Sequence, residues 1–235
     1  MSASLHDLPQ PAAFLFDWDN TLIDSWATIH LAFEETFRSF GRRPWTLAEV
    51  QQRVRTSARD AFPALFGAEA ETAMEKYHRA FERRHLERLR SLDGAEGFLR
   101  ILAGRGFPMG IVSNKSGHFL RREVEALGWN DLFGAVVGAN DAARDKPAAD
   151  PVQMALHQMG LEPKSSVWFV GDTDIDLICA SNADCTAILL RPEAPGAEEF
   201  PDCGRFWHAE GFTRLLTLVT TAMQAALSPS ARGPA

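Results

Sequence analysis

The hydrophobic pattern changes period along the chain. Residues 12–17 form a short apolar run, Ala12-Ala13-Phe14-Leu15-Phe16-Asp17, flanked by Pro11 and ended by acids. A run this brief predicts a buried strand with Asp17 at its carboxyl end rather than a helix. From Ser25 the apolar residues Ile29, Phe33, Phe37 and Phe40 recur at helical spacing, until Gly41 and Pro44 stop the helix. Thr46 with Glu49 three residues on is a capping-box pattern and predicts a short helix over 46–54. After a break at Arg55-Thr56-Ser57, helices are predicted over 60–66 and 69–89, separated by Gly67, with Met74, Tyr77, Phe81 and Leu89 among the apolar positions.

At Gly94 the pattern changes again. A helix to about 103 ends at Gly104-Arg105-Gly106, and a strand over 108–112 runs into a strand-to-helix turn at Ser113-Asn114-Lys115. Helix 117–127, strand 135–137, helix 150–159, strand 167–170, helix 173–182, strand 186–190 and a last helix over 211–226 follow. This alternation predicts an α/β fold, a Rossmann-like doubly wound, mostly parallel sheet, with an all-helical insertion after the first strand. The implied division is an α/β core of 12–24 and 92–227 and a helical unit of 25–91, with flexible tails at 1–11 and 228–235. Phe33, Phe37, Phe40 and Phe81 are expected to form the core of the helical unit.

Composition narrows the setting. At 235 residues, 46% hydrophobic and 23% charged, the chain reads as a soluble globular protein without an apolar stretch long enough for a membrane span. A formal charge of -7 gives no basic field for nucleic acid. Cys179, Cys185 and Cys203 have no CxxC spacing and fit buried, reduced thiols, which with the polar, proline-bearing start predicts a cytoplasmic protein. His30, His78, His85, His118, His157 and His208 are expected at the surface, because no third ligand accompanies any pair.

The chemistry lies at the predicted strand ends, where open α/β sheets bind ligands. Asp17 and Asp19 sit one residue apart, and two such carboxylates are costly to bury unless a cation neutralises them. Gly171-Asp172-Thr173-Asp174-Ile175-Asp176 brings further acid to the same edge. With no His or Cys at ligand spacing, the inferred cation is hard, Mg²⁺ first, and carboxylates with Mg²⁺ in a cleft point to phosphate esters. Ser113 and the amides after it, and Lys146 ahead of Pro147, supply a hydroxyl, a helix amino end and a positive charge for phosphoryl oxygens. Asp174 lies on another helix face and reads as a capping or solvated residue.

In this order, Asp17-Trp18-Asp19-Asn20-Thr21, Ser113-Asn114-Lys115, Lys146-Pro147 and Gly171 to Asp176 resemble the motifs of the haloacid dehalogenase superfamily, in its phosphoglycolate-phosphatase-like branch, over residues 12–225. The resemblance implies that Asp17 is the nucleophile, forming an aspartyl-phosphate, and that Asp19 is acid and then base. It also implies that Mg²⁺ is held by Asp17, the Asp19 backbone carbonyl and Asp172, with Asp176 acting through the coordination shell, while Ser113, Asn114 and Lys146 bind the phosphoryl group. The helical unit resembles the type-one cap, whose site-facing loop corresponds to Arg55-Thr56-Ser57-Ala58-Arg59, so Arg55 and Arg59 become substrate-binding candidates.

The chain departs from that pattern at Asn20, where glycine is usual, and at the bulky Trp18. If the backbone is left-handed there, Asn is the least costly replacement, which predicts a positive φ at Asn20. The implied activity is Mg²⁺-dependent hydrolysis of a small phosphorylated metabolite, phosphoglycolate-like or a sugar phosphate. A β-phosphoglucomutase-like phosphotransferase uses the same motifs and is the first alternative; a non-catalytic phosphate sensor or protein-binding relative is the second. Dehalogenation fits poorly, because that branch lacks the second aspartate that is present here as Asp19.

Overall fold

The computed structural model of the chain describes residues 5–196 and 198–227. Its sheet is built of β1 (Ala13–Phe16), β2 (Met109–Ser116), β3 (Ala135–Ala139), β4 (Val167–Gly171), β5 (Thr186–Leu190) and β6 (Phe206–Ala209). The strand order is β3-β2-β1-β4-β5-β6 and every pairing is parallel. After β3 the chain returns across β1 to continue on its other side, so the switch in direction falls beside β1, where a crevice opens beyond the strand ends.

Alternation along β1 shows how the sheet is buried on both faces. Phe14 and Phe16 point into a cluster with α5 (Ala95–Gly104), α6 (Gly117–Ala126) and α9 (Phe212–Leu227). Ala13 and Leu15 point to the opposite face, against α7 (Asp150–Gln158) and α8 (Asp174–Asn182). A central strand covered twice must be apolar at every position, which is why its pattern is a continuous run.

The helices α1 (Trp26–Ser39), α2 (Leu47–Arg53), α3 (Ala58–Phe66) and α4 (Ala70–Glu82) pack around a third cluster that includes Phe33, Phe37, Phe62 and Phe81. Thr46 accepts from the Glu49 amide, and the Glu49 carboxylate accepts from the Thr46 amide, closing the capping box at the start of α2. Phe119 of α6 joins this third cluster and joins the helical layer to the sheet layer. The segments entering and leaving the layer run side by side, Asp24 N–H donating to Arg90 O and Leu92 N–H to Leu22 O, each at 2.9 Å.

Several elements differ from their sequence patterns. The helix expected to reach residue 89 stops at Glu82, and the chain turns at 83–88 to bring His85 into the interior. Ser113 to Lys115 lie inside β2, which continues to Ser116 with an irregular pairing to β3 after Val112, instead of forming the turn into α6. Strand β6 is short and half-buried, with the alternation of an edge strand, and follows a loop containing Pro192, Pro195 and Pro201 that masks it in the sequence. The expected N-terminal tail is anchored over residues 5–11: Leu8 is buried, Asp7 pairs with Arg205, and Pro9 O accepts from Trp168 Nε1 at 3.0 Å. Residues 1–4 and the other expected tail, 228–235, lie outside the described residues.

Candidate active site

Asp17 ends β1, and its amide donates to Val170 O at 2.9 Å, which ties it to the carboxyl end of β4. Its carboxylate is buried, with Lys146 Nζ 2.6 Å from Asp17 Oδ1 and 2.7 Å from Asp176 Oδ1. Asn114 fixes the lysine by its backbone: Asn114 Nδ2 donates to Lys146 O and Asn114 Oδ1 accepts from Lys146 N, both at 3.0 Å. Asp176, in the first turn of α8, also accepts from Thr173 N and Thr173 Oγ1, so both its oxygens are held. Gly171 permits this approach, since a Cβ there would stand 2.3 Å from Asp176 Cβ.

Asp17, Asp172 and Asp176 each place a carboxylate oxygen within 4.8 Å of the others. Burial, only partly opposed by Lys146, pushes the Asp17 carboxyl up to about 6. Burial and then the neighbouring Asp176 and Asp17 raise Asp172 well above the carboxylate range. Burial disfavours the Lys146 charge, but Asp17 and Asp176 outweigh it and hold the ammonium above its ordinary pKa. Two of the three carboxylates thus share one ammonium while Asp172 has none in contact, an all-oxygen donor set with uncompensated negative charge. That set fits a hard divalent cation.

Asp19 turns away from this cluster. Its Oδ1 lies 2.6 Å from Lys115 Nζ, which is also 2.6 Å from Glu123 Oε2. Glu123 is buried on α6 and accepts from Trp18 Nε1 at 2.6 Å, while its other oxygen meets His85 Nδ1 at 2.9 Å. Between these residues the chain folds tightly, with Asn20 at φ 61°, its amide donating to Ile23 O at 2.6 Å and its Oδ1 accepting from Ser25 N at 3.3 Å.

A cavity opens over both carboxylate groups. Asp17, Asp19, Asn20, Ser113, Lys115, Lys146 and Asp172 lie on its floor, and residues of α1, α3 and α4 form its roof. Arg55 reaches the lining and faces Asp174 at 3.7 Å. Arg59 lies outside the lining and binds the buried Asp145, next to Lys146, at 2.7 Å. Ser113 is among the lining residues, and its Oγ accepts from Lys115 N at 3.2 Å.

Residues 14–190 match the sequence profile of the haloacid dehalogenase-like hydrolases. The chain belongs to that family. It is similar to pyrophosphatase PpaX of Oceanobacillus iheyensis, 27% identical over 72% of this chain and 78% of the relative. It is likewise similar to phosphoglycolate phosphatase of Aquifex aeolicus, 28% identical over 80% of this chain and 89% of the relative. Among solved structures it resembles a haloacid dehalogenase superfamily hydrolase from Ehrlichia chaffeensis, with a TM-score of 0.62 and 25% identity over 92% of this chain and all of the other.

In this haloacid dehalogenase-like hydrolase the structure brings Asp17, Asp19, Ser113, Asn114, Lys146, Asp172 and Asp176 to one place. It also adds Glu123 and His85, which lie outside the motifs and meet two residues inside them, Lys115 and Trp18. Glu123 carried a signal, since it falls three and four residues after Leu120 and Phe119, on the apolar face of α6. His85 carried the same signal four residues after Phe81, and the surface placement expected for it is wrong: it is 2% exposed. His78 likewise faces the cavity. Trp26 and Trp45 line the cavity, whereas Trp18 is buried beneath it against Trp129.

Proposed function

We propose that the chain is a Mg²⁺-dependent phosphatase that hydrolyses a small phosphorylated metabolite through an aspartyl-phosphate on Asp17. The observation that carries this reading is the separation of the two neighbouring acids: Asp17 faces Lys146 and the Asp172/Asp176 cluster, while Asp19 faces Lys115. One acid is thereby set for charge at phosphorus and the other for protons. Asp17 Oδ attacks phosphorus as the bond to the substrate alcohol breaks, and Asp19 gives that alcohol its proton. Asp19, now a carboxylate, takes a proton from water, whose oxygen attacks phosphorus, releasing phosphate and restoring Asp17.

Lys146 and Ser113 offset and orient the phosphoryl oxygens; Asn114, with both polar ends on the Lys146 backbone, is assigned to positioning that lysine. Asp17 and Asp172 would hold Mg²⁺, with Asp176 orienting the shell around it because both its oxygens are engaged. When bound, the ion supplies positive charge to the phosphoryl oxygens and neutralises the acids. Arg55 and Arg59 are assigned to holding the helical layer over the site through Asp174 and Asp145, in place of substrate binding. Residues 25–91 act as a cap on a core of 12–24 and 92–227, supported by the separate apolar cluster of α1 to α4. A cytoplasmic location fits the three buried free thiols. The relatives named phosphoglycolate phosphatase and pyrophosphatase both support cleavage at phosphorus.

The test is phosphate release from a panel of phosphorylated metabolites with Mg²⁺, run beside Asp17→Asn. Turnover is expected to need Mg²⁺ and to fall by about 10⁴-fold or more in the variant. Phosphate release that survives Asp17→Asn unchanged would overturn the nucleophile. Isomerised sugar phosphate without free phosphate would instead identify a phosphotransferase, and binding with no turnover of any ester a sensor.

A further inference from the structure

The charge of the cavity is confined to its floor, and every cation on its lining already faces an acid or an aromatic ring. Lys146 lies between Asp17 and Asp176, and Lys115 between Asp19 and Glu123. Arg55 faces Asp174, and the Arg53 guanidinium lies over the Trp45 ring, 5.1 Å from its centroid, with Glu49 at 4.0 Å. His78 adds no cation, since burial pushes its imidazole below its usual pKa. The roof is apolar instead: Trp26, Phe33, Trp45, Phe62, Leu65 and Phe119 all border the cavity. Phe33 is the centre of that roof, with ring centroids of Trp45 at 5.5 Å, Phe62 at 5.9 Å and Tyr77 at 4.8 Å.

We infer that the alcohol half of the substrate is uncharged and apolar, with the bulk of an aromatic ring. The inference rests on the phosphatase reading above and narrows it. A glycolate carboxylate or a second phosphate placed under this roof would lose water and find no free cation, which is the costly way to bury an anion. A two-carbon group would also leave the aromatic rings of the roof without an apolar partner. An aromatic alcohol gains from both features, covering apolar area and stacking against rings already in place. The chain therefore differs in substrate from the relatives whose names specify phosphoglycolate or pyrophosphate.

Benzyl phosphate, ethyl phosphate and 2-phosphoglycolate test this, because all three release a primary alcohol and differ in what the roof must accept. With Mg²⁺ and the unmodified protein, kcat/KM for benzyl phosphate is expected to exceed that for ethyl phosphate and 2-phosphoglycolate by roughly 10- to 100-fold. Ala61→Lys, on the α3 part of the lining, is expected to lower the ratio of kcat/KM for benzyl phosphate to that for 2-phosphoglycolate by about 10-fold or more. Equal or greater kcat/KM for 2-phosphoglycolate in the unmodified protein would overturn the inference and leave the phosphatase reading in place. If no ester is turned over, the phosphatase reading falls, and calorimetry with benzylphosphonate and phosphonoacetate decides the inference separately. Tighter binding of benzylphosphonate upholds it, and equal or tighter binding of phosphonoacetate overturns it.

Discussion

Asn20 shows how one residue shapes the site. At φ 61° it occupies the left-handed region, which costs other L-residues about 1–2 kcal/mol, and its side chain closes the turn onto Ser25 N. Asn20→Gly is expected to unfold in denaturant within about 1 kcal/mol of the parent, whereas Asn20→Val should lose about 2 kcal/mol or more, since a β-branched residue is least tolerant of that φ. Lys115 acts on the same turn from the other side by fixing the Asp19 carboxylate. Burial opposes its charge, but Asp19 and Glu123 outweigh that and hold the ammonium above its usual pKa. Lys115→Met is expected to slow hydrolysis of alkyl phosphates by about 100-fold, and of p-nitrophenyl phosphate much less, because a good leaving group has little need of a proton from Asp19. Equal slowing of both would detach Lys115 from proton transfer.

Among the elements, α6 and α8 do most to define the floor. Helix α8 approaches β4 so closely that Gly171 has no room for a Cβ, and Asp176 would have to move first. Gly171→Ala should therefore cost about 1–3 kcal/mol in denaturant unfolding and weaken Mg²⁺ binding together with stability. Helix α6 brings Glu123 to Lys115, Trp18 and His85, and so connects the segment leaving α4 to the Asp19 turn. Burial works against the Glu123 charge, yet Lys115 and the bonds from His85, Lys115 and Trp18 prevail and lower its pKa. A lowered carboxyl stabilises the fold above its unfolded pKa and loses that contribution as pH falls through the folded value. Glu123→Leu removes one of the two acids facing the Lys115 ammonium and the acceptor of Trp18 Nε1, and is expected to cost about 3–5 kcal/mol near neutral pH; adding Lys115→Met should recover part of that loss.

At the scale of the molecule, folding concentrates acid at the carboxyl ends of β1 and β4. Asp17 is raised to about 6 without an ion, so between its unfolded value of 3.8 and about 6 the folded protein binds more protons, and stability declines as pH rises through that window. Mg²⁺ should remove that penalty: thermal or denaturant unfolding is expected to show about 2.7 kcal/mol of stabilisation at 100 times Kd. The gain should be larger at pH 7.5 than at pH 5, and lost in Asp172→Asn. Much of the fold was legible in the chain because period and burial are local: the run of β1, the glycine and proline stops, the Thr46 box and the five residues of β5 all declare themselves over a few positions. The motif acids were legible for the same reason, since the ends of β1 and β4 share one edge; Ser113 and Lys146 were legible as short motifs, although Ser113 lies inside β2 and Lys146 in the loop before α7. The strand order and the short β6 were not, because pairing is chosen by packing across the sheet. Nor was the end of α4, where a buried partner for His85 overrides helical pattern. The sequence by itself determined which acids meet beyond the end of β1. Only the tertiary structure decided that Asp17 faces Lys146 while Asp19 faces Lys115, and that the cations among the described residues of the lining each face an acid or an aromatic ring. Those outcomes depend on which distant side chains burial brings within about 3 Å of a carboxylate, the distance at which a buried charge is satisfied.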